Sequence, residues 1–164
     1  MNRGLRNNNP LNIRHSADRW QGARPEQTDP AFVQFVDDAY GYRAAWKVLN
    51  TYARHFRKEG KPFCINTIIA RWAPPAENDT DAYVRIVLRL CTCGGNELLL
   101  PPTKVKGYLK LAEIIGAMTC VECGIDPAQV DTEAICQGYR LAFPENAARL
   151  DRLLKGLDEY SDWG

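Results

Sequence analysis

Glu122 stands in the run Ala117 to Ile125, AMTCVECGI, one residue before Cys123 and two before Gly124. Val121, Cys123 and Ile125 give this carboxylate apolar neighbours, which disfavour its charged form. A carboxyl group kept protonated near neutrality is what a general acid needs. The same residue types also suit an ordinary exposed glutamate at a helix end, since Gly124 is a natural terminator. A second region with chemical potential opens the chain, where RGLRNNNPLNIR (Arg3 to Arg14) leads to RWQG (Arg19 to Gly22) and TDPAFVQF (Thr28 to Phe35). Its asparagines, Pro10 and scarcity of branched apolar residues do not make a core, so its polar and aromatic groups are available to a ligand. A turn-rich hairpin without chemistry is the plainer alternative.

The six cysteines are Cys64, Cys91, Cys93, Cys120, Cys123 and Cys136. Cys91-Thr-Cys93 and Cys120-Val-Glu-Cys123 together offer four thiols, but a single residue inside the first pair is fewer than structural zinc sites usually have. Ordinary buried thiols are the expectation, with no metal and no cofactor. MNRGLRNNNP has no apolar stretch behind its positive charge and is not read as a secretory signal, so disulfides are not expected either.

The elements that must position these groups follow from periodicity. Short apolar beats at Ile13, Trp20 and Phe32 to Phe35, separated by Gly22, Pro25 and Asp29-Pro30, predict two or three short antiparallel strands. Ala39, Tyr42, Trp46, Leu49, Ala53 and Phe56 then recur at intervals of three and four, predicting a core helix from Asp37 or Asp38 to just before Gly60. Tyr40, in its first turn, faces either solvent or a cleft. A helix from Asn66 or Thr67 ends at Ala73-Pro74-Pro75, and Thr80 is expected to cap the next, which carries Tyr83, Val84, Val87 and Leu88 and ends near Cys93. A helix opening at Thr103 or Lys104 runs to Glu122. Asp131 or Thr132 caps another, and Pro144 sits at the first position of a last one. The expected class is mainly α (α+β), with a small N-terminal antiparallel hairpin and about six helices.

At 164 residues, 45% hydrophobic and 25% charged, the chain reads as one globular domain over 1–164. Its net charge of +1 gives no field that would predict nucleic acid or an anionic membrane as partner. No apolar run approaches the ~20 residues of a membrane span, so no membrane insertion is expected.

RGLRNNNPLNIR, RWQGA, TDPAFVQFVDDAYGYRA, RWAPPAENDTDAYV, AMTCVECGI and QGYRLAF together resemble a phage-associated family, often described as structural or lysozyme-like proteins, from Arg3 to about Phe143. More distantly, NPLNIR (Asn9 to Arg14), WQG (Trp20 to Gly22) and FVQFVDDAYGYRAAWKVL (Phe32 to Leu49) are similar to elements of bacterial glucosaminidases and lytic transglycosylases. In those enzymes a helix ending in the catalytic Glu precedes these pieces. Here the similar element, VECG (Val121 to Gly124), lies late in the chain, with Cys123 where family members typically carry Asn. The resemblance therefore implies a lysozyme-like, circularly permuted domain that brings Glu122 against the N-terminal segment.

It further implies a peptidoglycan-cleaving glycosidase with Glu122 as general acid on the β-1,4 glycan backbone. Asp29, then Glu26, are the candidate second carboxylates, at about 5–5.5 Å for retention and farther for inversion. A lytic transglycosylase would need only Glu122. Asn9, Asn12, Trp20, Gln21, Tyr40 and Trp72 are the candidate sugar-binding residues. The expected partner is the glycan strand of peptidoglycan, with other virion proteins as further partners. Synthesis in the bacterial cytoplasm, followed by action at the cell wall after release or from a phage particle, is the expected itinerary. A non-catalytic virion or wall-binding protein is the rival reading.

Overall fold

The computed structural model describes residues 1–161, with the side chains of residues 1–156. Among the described residues there are seven α-helices: α1 (Arg3–Arg6), α2 (Asp38–Glu59), α3 (Ile65–Trp72), α4 (Thr80–Leu90), α5 (Tyr108–Cys123), α6 (Thr132–Ala142) and α7 (Ala147–Ser161). Single 3₁₀ turns at Val105–Gly107, Pro127–Gln129 and Pro144–Asn146 lead into α5, α6 and α7.

Helix α2 forms where the spacing predicts it. Asp37 caps it by accepting from the Tyr40 amide, and Gly60 ends it in the left-handed region at φ 69°. Tyr42, Trp46, Leu49, Ala53 and Phe56 all face inward. Trp46 is fully buried, stacked on Tyr108 of α5 at 5.5 Å and edge-on to Tyr139 of α6 at 4.9 Å. Burying one such ring removes roughly 150–250 Å² from water, worth about 4–6 kcal/mol. Its indole N–H donates to Ile135 O at 3.0 Å, so the ring leaves no orphan donor. α6 meets α2 almost backbone to backbone, since a Cβ on Gly138 would stand 2.7 Å from Tyr42 Cβ and 2.8 Å from Arg43 N. Buried apolar side chains continue from Leu11 to Leu150.

Several boundaries shift. α3 starts at Ile65, because Cys64 is its N-cap and the Thr67 hydroxyl, in the first turn, accepts from the Cys64 amide. Asp79, not Thr80, caps α4; Thr80 is already helical and its hydroxyl donates to Ala73 O at 2.5 Å. α4 stops at Leu90, before Cys93. α5 begins at Tyr108 and α7 at Ala147, the preceding turns being 3₁₀.

The expected N-terminal hairpin does not form, and the class is mainly helical rather than α+β. Among the described residues there is no β-strand, only isolated antiparallel bridges at Arg14–Phe32 and Ala23–Phe35. Each bridge keeps its own backbone pair, Val33 N to Ile13 O and His15 N to Ala31 O at one, Arg24 N to Gln34 O and Val36 N to Gly22 O at the other, but side chains take other backbone groups that a longer ladder would use. Asn9 Nδ2 donates to both Ile13 O and Val33 O at 2.9 Å, while its Oδ1 accepts from Ile13 N at 2.8 Å. Asn8 Nδ2 and Arg24 Nε both donate to Phe35 O, and Gln27 accepts from Gln34 N. The resulting segment is a polar-pinned coil opened by α1. Asn8 (φ 49°) and Asn12 (φ 53°) supply its left-handed bends, a conformation asparagine tolerates better than other side-chain-bearing residues.

Candidate active site

Glu122 lies in the last turn of α5, which Gly124 closes at φ 62° with its amide bonded to Cys120 O. The apolar face of α5 carries the helix end onto the N-terminal coil. There the buried Cys123 thiol donates to Pro10 O at 3.2 Å, and a Cβ on Gly4 would stand 3.2 Å from the same sulfur. Cys123 therefore anchors the helix end to the coil.

This anchoring brings Glu122 to Asn12 across 110 residues of sequence, with Asn12 Nδ2 donating to Oε1 at 3.1 Å. The other carboxyl oxygen accepts from the Tyr83 hydroxyl of α4 at 3.3 Å. Glu122 is half-buried and Tyr83 is buried. Burial pushes the Glu122 pKa up, while the bonds from Asn12 and Tyr83 and the charge of Arg14 pull it partly back. The carbonyl end of α5 adds to the preference for the neutral acid. Burial and the neighbouring carboxyl group hold the Tyr83 phenol well above its ordinary value, so it serves as a neutral donor. The carboxamide oxygen of Asn12, Oδ1, is buried with no hydrogen-bond partner.

Asn12 also lines a cavity of about 210 Å³ together with Ile13, Arg14, Val48, Tyr52 and Trp72. Trp72 and Tyr52 meet edge-on at 6.1 Å. Asn12 thus links the two, bonding Glu122 and sharing the cavity with Trp72, while Glu122 itself does not line that cavity. A larger apolar cavity, about 450 Å³, lies between α5, α6 and Leu154 of α7, and none of the nominated residues lines it.

The remaining nominated residues lie elsewhere. Asp29 accepts from Arg3 Nε and Nη2 at 2.6 Å each, from Asn7 Nδ2 at 2.9 Å, and from the amides of Ala31 and Phe32 at 2.9 Å. The Arg3 guanidinium holds its carboxyl far below the usual range. Such a saturated anion organises the coil and has no lone pair left for a sugar. Glu26 and Gln21 are exposed. Asn9 is fully buried and spent on backbone bonds. Tyr40 packs over Gly22, where a Cβ would fall 2.1 Å from Tyr40 Cγ. Trp20 is half-buried against the core, with an indole N–H that has no partner.

Tyr83 and Arg14 are the site residues that sequence reasoning missed. Tyr83 looked like one more apolar residue of α4, and only its hydroxyl distinguishes it from the valines beside it. Arg14 ends the NIR run, but nothing local ties it to Glu122.

All six cysteines are free thiols, and burial pushes Cys91 up to about 12 and Cys123 to about 11. Among the described residues no group of three or more His, Cys, Asp or Glu is placed to hold a metal ion. No helix among them is long and apolar enough to cross a membrane.

No family model matches the chain. Over 144 residues it is 37% identical to Protein P5 of Pseudoalteromonas phage PM2, a match covering 86% of this chain and 82% of that protein. The phage association implied by the opening motifs holds at that level, and the relative's name carries no activity. At this identity and coverage, the chain belongs to the phage-associated family of Protein P5.

Proposed function

We propose that this chain is a peptidoglycan-cleaving glycosidase of phage origin in which Glu122 protonates the glycosidic oxygen of the β-1,4 backbone. The observation that carries the reading is the environment of Glu122: half-buried, bonded to the neutral donors Asn12 and Tyr83, and raised in pKa beside an aromatic-walled cavity. The likeness of NPLNIR and VECG to lysozyme-like and glucosaminidase-like motifs supports it, with the acid-bearing helix supplied from the later part of the chain. An amide can serve both charge states of the acid, donating from Nδ2 to the carboxylate and, after a half turn, accepting at Oδ1 from the carboxylic acid. The partnerless Asn12 Oδ1 fits that double use.

As the bond to the leaving sugar breaks, the Glu122 proton passes to the leaving oxygen and positive charge develops at the anomeric carbon. Water, or a hydroxyl of the same sugar, then adds to that carbon and returns a proton to Glu122. The engagement of Asp29 in five hydrogen bonds favours the second route, that of a lytic transglycosylase, in which the 6-hydroxyl of the muramyl sugar attacks without help from a second carboxylate. Asn12 and Trp72 are the proposed sugar contacts, and Tyr83 is a positioning residue. Action at the cell wall, as an endolysin or from a virion, belongs to the same proposal.

Clearing of purified sacculi by wild type and not by Glu122→Gln is the expected result. Muropeptides with 1,6-anhydro ends identify the transglycosylase, and reducing ends the hydrolase. Co-pelleting with sacculi without clearing would replace both by a wall-binding virion protein.

A further inference from the structure

The cavity beside Glu122 has two chemically different walls. Tyr52 and Trp72 form an aromatic wall suited to the apolar face of a sugar ring, and Arg14 contributes a guanidinium at the rim. At about 210 Å³ the space is smaller than a whole ligand site, typically ~300–1,000 Å³, and is the size of one subsite. Arg14 is held from behind: its backbone bridges Phe32, and its guanidinium lies 5.6 Å from the centre of the Phe32 ring. Its carboxylate contact is Glu77, from the loop after α3, at 3.9 Å with both side chains about two-thirds exposed. An exposed pair at that distance is weak and exchanges readily. The other cation near the aromatic wall, Arg71, is already bonded to Glu59 at 2.9 Å.

A neutral polysaccharide offers a guanidinium only hydroxyl oxygens to accept its N–H groups. A sugar bearing a carboxylate offers more, because planar bidentate pairing is what arginine does best. Resting on the glycosidase reading above, we infer that Arg14 is a specificity determinant: it pairs with a carboxylate on the substituent of the sugar seated against Tyr52 and Trp72, displacing Glu77. The carboxylate belongs either to the lactyl group of the sugar or to the peptide attached to it. The site thereby distinguishes peptidoglycan from chitin-like glycans.

The test measures binding, so that turnover does not enter, with Glu122→Gln as the parent protein. Three probes are titrated: intact sacculi, glycan strands stripped of peptide by an amidase, and neutral chitin oligosaccharides. Adding Arg14→Gln is expected to weaken binding of the carboxylate-bearing probes roughly tenfold or more, as for loss of a charge-assisted hydrogen bond, and to leave chitin binding unchanged. Loss on stripped strands identifies the lactyl carboxylate; loss confined to intact sacculi identifies the peptide. Arg14→Lys should restore part of the difference. Equal weakening on all three probes, or none on any, overturns the inference while leaving the glycosidase reading standing. A parent that binds none of the probes overturns both.

Discussion

Two carboxylates nominated for the same reaction are held in opposite ways. Asp29, in the N-terminal coil, accepts five hydrogen bonds, two of them from the Arg3 guanidinium, and its charge is locked in place. Glu122, at the end of α5, has two neutral donors and a half-buried setting that resists its charge. The contrast shows that a carboxylate's use is set by what surrounds it more than by its place in a motif. An anion with every lone pair engaged is a fastener, whereas a half-buried carboxyl group with fewer donors is biased toward keeping its proton.

The largest expected effect separates the two outright. Glu122→Gln should lower sacculus clearing by about 10²–10⁴-fold, the range for removing a general acid. It should melt no lower than wild type, because Gln keeps the neutral shape. The sign of the linkage agrees: a carboxyl raised in the fold contributes stability that fades as pH climbs through its folded value, so the variant gains relative to wild type at higher pH. Thermal melts across pH check this.

Asp29→Asn should do the reverse. Its carboxyl is depressed in the fold, so its contribution to stability is present above the ordinary value of about 3.9 and disappears as pH falls through the folded value. The variant should therefore melt below wild type at neutral pH, with the gap closing in acid. Clearing per folded molecule should stay within about twofold, as for changes away from reacting atoms. A clearing loss as deep as that of Glu122→Gln would break the contrast and restore Asp29 as a second catalytic group.

Tyr83→Phe is a smaller and sharper probe. Losing one hydrogen bond of about 0.5–1.5 kcal/mol should slow clearing by roughly 2–12-fold. The Tyr83 bond pulls the Glu122 pKa down, so its removal should move the alkaline limb of the pH–rate profile upward. A merely structural tyrosine would leave that limb where it was. The smallest effect belongs to Glu77→Gln. Freeing Arg14 from an exposed pair worth about 0–1 kcal/mol should strengthen sacculus binding severalfold at most.

Much of the helical body was legible in the sequence because its determinants are local. Asp37 and Gly60 bracket an apolar stripe, and Gly124 marks the turn after Glu122. The coil was not, because alternating Phe32, Gln34 and Phe35 look like a strand until Asn9, 24 residues before Val33, reaches across and takes its carbonyl. The same limit hid the Arg3–Asp29 pair, separated by 26 residues, and the convergence of Tyr83 on Glu122. Residue type pointed to Glu122 and to the polar opening of the chain. Which polar groups were spent on the backbone and which stayed free was decided by contacts that no spacing rule contains.

The acid and its amide partner are 110 positions apart. A ribosome adding about 5–20 residues per second makes Asn12 some 6–22 s before Glu122. Throughout that interval the nascent chain carries the coil without the carboxyl group that Asn12 bonds, and any fragment ending ahead of α5 lacks the pair altogether. The pairing therefore closes late in translation, and interrupted synthesis yields fragments without it.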